Sequence, residues 1–179
     1  MKNMTLRESM LSAMFVAIIC VLTYITIPLP FSPVPITGQT LGIMLVGMVL
    51  STNASFVTLL VYILIGAIGL PVFSGASGGL GVLFGPTGGY IFGFLIGAVI
   101  ISYIAGKSSD VKKLIIAGFV GGILVVDLIG MTWLAFSTGM GLKKAFMFGV
   151  LPFLIGDGLK LVLSALVASK IKKHLSHMG

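Results

Sequence analysis

Asp157 and Lys160 stand three residues apart in a run that is otherwise apolar from Ala145 to Ile171, just after Pro152. A carboxylate or an ammonium in the middle of a membrane-length segment costs at least about 2.5–3.5 kcal/mol. On a helix, residues three apart share a face. The carboxylate can accept hydrogen bonds from N–H groups of a ligand, and the ammonium can donate to a carbonyl or carboxylate. The bland alternative is a pair that neutralises itself within one helix. Ionisable residues inside membrane segments are functional by default, so the pair is the candidate binding site. Asp127 is a second carboxylate in an apolar stretch, without a local counter-charge. A partner for Lys160, a ligand contact and a protonated buried acid all remain open for it.

Other chemistry is excluded. Gly106-Lys107-Ser108 has the end of a phosphate-binding loop, but its first glycine would fall at Ile101, and the element closes an apolar helix instead of opening one after a strand. Gly79-Leu80-Gly81 is followed by Phe84 where a dinucleotide fingerprint needs glycine. His174 and His177 lie near the chain's end without carboxylates, so no metal site is expected. No histidine falls in an apolar span, which argues against a proton relay. No nucleophile–base pair is placed for catalysis, so an enzyme is not expected. Cys20 stands alone in the first apolar run and reads as an inert buried thiol.

The elements that hold these residues are membrane helices. Of 179 residues, 58% are hydrophobic and 8% charged, against about a quarter charged in soluble domains. Continuous apolar runs broken by turns indicate helices, not the alternating pattern of a barrel. The chain reads as one all-α membrane domain, residues 1–179, with spans at about 8–27, 38–51, 54–70, 88–105, 114–137 and 145–171. The first run is read as a retained helix, not a cleaved signal. Counted along one continuous last helix, Asp157 would lie about 20 Å from its outer end, and Asp127 about 15 Å from that of the fifth.

With six crossings, Lys2, Arg7, Lys107, Lys112, Lys113, Lys170, Lys172 and Lys173 fall on the side of the termini, and Lys143 and Lys144 on the other. The net charge of +7 is therefore a topology signal with cytoplasmic termini, not a nucleic-acid surface. Pro28, Pro30, Pro33 and Pro35 predict an extended, stiff connector. Thr37, Gly38, Gln39 and Thr40 give the short second span a polar, buried start. The glycine-dense stretch from Ser74 to Tyr90 interleaves Leu80, Val82, Leu83 and Phe84, which suits a lid over a cavity better than a solvated linker. Ser9, Ala13 and Ala17 form one small-residue stripe and Gly89, Gly93 and Gly97 another. The first can serve a helix contact within the chain or a separate subunit.

Four co-ordered stretches carry a family resemblance. They are Ser32 to Gly42 (Ser-Pro-Val-Pro-Ile-Thr-Gly-Gln-Thr-Leu-Gly), Gly66 to Phe73 (Gly-Ala-Ile-Gly-Leu-Pro-Val-Phe), Gly78 to Tyr90 (Gly-Gly-Leu-Gly-Val-Leu-Phe-Gly-Pro-Thr-Gly-Gly-Tyr), and Gly156-Asp157-x-x-Lys160. Together they resemble BioY, the biotin-specific substrate-binding component of energy-coupling factor (ECF) transporters, over nearly the whole chain. The resemblance implies a six-helix protein of the cell membrane that captures biotin from outside, beneath the first and third loops. It uses no other cofactor and partners a membrane coupling subunit and two ATPases. It also implies ligand-binding roles for Asp157, Lys160, Gln39 and the glycine lid with Gly79 and Tyr90, and a docking role for Ala13 and Ala17. Asp127 matches no motif of the family and stays a candidate on burial alone. A self-sufficient transporter is the rival reading.

Overall fold

In the computed structural model, which describes residues 4–177 without the side chains of 176 and 177, the chain folds as packed helices with one small hairpin. Lys2 and the side chain of His177, both used above, lie outside the described residues. Helix α1 (Leu6–Leu22) opens with a capping box: Glu8 N–H donates to the Thr5 hydroxyl and Thr5 N–H to the Glu8 carboxylate, 3.1 Å away. It buries Ser12, Phe15, Val16 and Ile19, while Ala13 and Ala17 face outward. The small stripe is thus not a helix contact within this chain.

The first span ends earlier than the expected residue 27. Strand β1 (Thr26–Ile27) pairs antiparallel with β2 (Ile36–Thr37), in the register Thr26 to Thr37 and Ile27 to Ile36. The proline segment is the tip of this hairpin, which corrects the expected extended connector. Prolines lack the N–H that a longer ladder needs, so pairing stops after two residues. Gly38 N–H then donates to Ile25 O at 2.8 Å, turning the chain into α2 (Gln39–Val49). At 11 residues α2 is about 16 Å long, too short to cross a bilayer core. Every residue from Gly42 to Met48 is buried, because α2 packs against α1, α5 and α9 at the centre.

Helix α3 (Thr52–Ala67) leads to the glycine-dense segment, which is folded, not slack. Phe73 bridges Ser77, α4 (Leu80–Phe84) follows, and the fully buried Phe73 ring fills the place a side chain at Gly66 would occupy. Gly79 takes φ +94° and donates its N–H to Gly66 O at 2.7 Å. Helix α5 (Gly88–Ala105) matches the expected fourth span. Its glycine stripe meets one neighbour: Gly89 lies against Trp133, Gly93 against Val126, and Gly97 against the Gly121 carbonyl.

Helices α6 (Val111–Gly118) and α7 (Val126–Thr138) continue into one another through a π-helical segment, Phe119–Val125. The last expected span is broken. Helix α8 (Leu142–Gly149) and α9 (Leu154–His177) meet at a 54° bend around Pro152. Among the described residues, Gly88–Ala105 and Val111–Thr138 are long and apolar enough to cross a membrane, with the bent pair as a third. Lys172 donates to Gly106 O at 2.7 Å at the end that holds the termini.

Candidate functional site

The bend at Pro152 sets the site. Because α9 starts at Leu154, Asp157 sits in its first turn, where the helix dipole favours a carboxylate, with its N–H donating to Phe153 O at 2.8 Å. It is not a dozen residues along a straight helix, which corrects the expected depth. Lys160, one turn on, places Nζ 2.8 Å from Asp157 Oδ1, with the two side chains 18% and 7% exposed. The ammonium also donates to Thr37 O at 2.6 Å and Thr40 Oγ1 at 3.0 Å, and Thr40 Oγ1 donates to Asp157 Oδ1 at 2.9 Å. An ammonium has three protons, and these three acceptors use them all.

The pair therefore does turn inward on itself and on the start of α2. It nevertheless opens onto a cavity. The cavity has a volume of about 40 Å³. Its apolar walls include Val34, Ile91, Phe94, Val126 and Phe153, and its polar lining includes Gln39, Thr40, Ser74, Thr87, Asp127, Asp157 and Lys160. A mostly apolar pocket with a few placed polar groups is the common form of a small-molecule site.

Five of the six expected ligand residues thus meet at one cavity. Tyr90 contributes its ring, held edge-on to Phe153, while its hydroxyl donates to Gly149 O at 2.6 Å and ties α5 to α8. Gln39 is buried and donates Nε2 to the Tyr62 hydroxyl, which in turn donates to Val72 O at 2.7 Å, where Thr23 Oγ1 also donates at 2.8 Å. Asp127, in the first turn of α7, is 8% exposed, and its Oδ2 has no hydrogen-bond partner among the described residues. Gly79 does not line the cavity; it shapes the segment that supplies Ser74.

Sequence reasoning missed Thr40 as a site residue, although it stands beside Gln39 in the polar start of an apolar helix. It also missed Tyr62, which no local signal marks in α3.

Fold and site define a multi-pass helical membrane protein with a cavity of small-molecule type among its helices. The comparisons narrow the class. The model of the BioY family matches residues 1–177, and the chain belongs to that family. It is similar to the biotin transporter BioY of Rhizobium etli, 39% identical over 177 residues and 94% of each chain. It is also similar to the biotin transporter BioY of Thermotoga maritima, 38% identical over 168 residues, 94% of this chain and 97% of the other. A solved S-component for biotin from an ECF-type ABC transporter superposes with a TM-score of 0.89 at 29% identity, covering 96% of this chain and 95% of that one.

Proposed function

We propose that this chain is the biotin-binding S component of an ECF transporter. It captures the vitamin from outside and delivers it through a membrane coupling subunit and two ATPases. The observation that carries the reading is the cavity, where the cluster of Asp157, Lys160 and Thr40 caps apolar walls suited to a bicyclic ring and alkyl chain. Family membership and the BioY relatives support the ligand. In this reading the single domain crosses the cell membrane six times with both termini cytoplasmic. The short α2 then counts as a crossing because its neighbours, not lipid, surround it.

Asp157 and Lys160 form the polar end of the site, Gln39 and Tyr90 shape its wall, and Gly79 fixes the covering segment without touching ligand. Ala13 and Ala17, exposed on α1, dock the coupling subunit. Labelled biotin binding to the purified chain tests the reading. Tight binding is expected for the parent protein and loss of binding for Asp157→Asn and Lys160→Met. Unchanged tight binding in both variants removes the site assignment, and biotin uptake into liposomes by this chain alone establishes a self-sufficient transporter instead.

A further inference from the structure

Asp127 brings to the cavity lining a buried oxygen without a partner among the described residues. Its side chain is 8% exposed, and Oδ2 is buried with no donor among the described residues. Buried acceptors in native proteins are almost always satisfied, and leaving one unsatisfied is costly. The backbone aims this residue. A π turn holds more residues than an α turn, and each extra residue rotates the helix beyond it by about 100°. Asp127 follows the π segment Phe119–Val125 by two positions.

The hydrogen-bond inventory says what is missing. Lys160 donates to Thr37 O, Thr40 Oγ1 and Asp157 Oδ1, Thr40 donates to Asp157 Oδ1, and Tyr90 donates to Gly149 O. Each of these donors is committed within the protein. Both contacts to Asp157 land on Oδ1, and Oδ2 accepts none among the described residues. The cavity therefore offers two carboxylate oxygens, while the donors on Lys160, Thr40 and Tyr90 are already used. A group with two N–H donors would satisfy both oxygens.

Resting on the biotin reading, we infer that Asp127 is a second N–H acceptor, so that Asp127 and Asp157 each take one N–H of the cyclic urea. The carboxylate of the ligand then points away from Lys160. The substrate class is cyclic ureas with both nitrogens unsubstituted.

The test measures affinity of the purified full chain and of Asp127→Asn for biotin and for the two derivatives methylated at one urea nitrogen. Asp127→Asn is expected to bind biotin about ten- to a hundredfold more weakly. It should bind one of the methyl derivatives as the parent protein does, because that N–H is already gone. On the parent protein alone, which needs no variant to fold, both derivatives should lose at least about tenfold. Equal biotin affinity in Asp127→Asn, the same loss for all three ligands, or a parent protein indifferent to one methylation overturns the inference while leaving biotin binding intact. No biotin binding by the parent protein overturns both readings.

Discussion

Thr40 Oγ1 lies 2.9 Å from Asp157 Oδ1, so the first turn of α2 is hydrogen-bonded to the first turn of α9 across 117 residues of sequence. The same hydroxyl accepts from Lys160 Nζ at 3.0 Å. One threonine thus fixes both charged side chains at the cavity wall. Helix α2 is held by this contact and by its packing on α1 and α5, so the polar cluster has a rigid support.

Thr40→Val removes this bridge while keeping the shape of the side chain. Each lost hydrogen bond is worth about 1 kcal/mol. The variant is expected to bind biotin about five- to thirtyfold more weakly by titration calorimetry. Unchanged affinity would mean that the bridge positions nothing the ligand uses.

Lys160→Met should harm the protein beyond its ligand site. The pair is largely buried, and removing one partner leaves the Asp157 carboxylate with Thr40 alone. Breaking a buried pair costs about 3–5 kcal/mol at full burial, whereas replacing both partners by neutral groups costs far less. Thermal unfolding in detergent should therefore rank Lys160→Met below the double variant Asp157→Asn/Lys160→Met. Neither is expected to bind biotin. A double variant less stable than the single one would show that the pair is not coupled as described.

The contrast between these elements shows what a sequence can carry. Helix α5 is legible to the residue because glycines at a fixed spacing and unbroken apolar content point to one packed helix. Asp157 and Lys160 are legible because charge is rare among apolar neighbours. Pro152 was visible, yet apolar residues on both sides hid the 54° bend that sets the depth of Asp157. Two-residue strands have no periodicity to read, so the hairpin beyond α1 was hidden as well. The π segment has no compositional mark, and Asp127 follows it by two positions. Tyr62 looks like any aromatic of an apolar helix until Gln39 and Val72 are brought to its hydroxyl.

Gly97→Ala tests the packing of α5 on the π segment. A methyl group there would press on the Gly121 carbonyl, which is backbone and cannot swing aside. Overpacking of this kind costs about 1–3 kcal/mol. The unfolding midpoint should fall by about 2–12 °C, and because the π segment leads into Asp127, biotin affinity should fall with it. Gly81→Ala is the control: a Cβ at Gly81 meets nothing within 4 Å. A Gly97→Ala protein as stable as the Gly81→Ala one would show that α5 and the π segment do not pack this closely.

The outward face of α1 gives the last expectation. Ala13 and Ala17 are exposed between Met10 (66% exposed) and Val21 (68%), while the opposite face of the same helix is buried in the bundle. Small residues let another helix approach closely in a bilayer, where van der Waals contact drives association. Tryptophan at either position would hold a partner helix off without touching the cavity, which α1 does not line. Ala13→Trp and Ala17→Trp should therefore bind biotin as the parent protein does and fail to retain the coupling subunit when purified from native membrane. Retention of that subunit by both variants would place the docking surface elsewhere on the bundle, and loss of biotin binding would show that α1 supports the cavity as well as the partner.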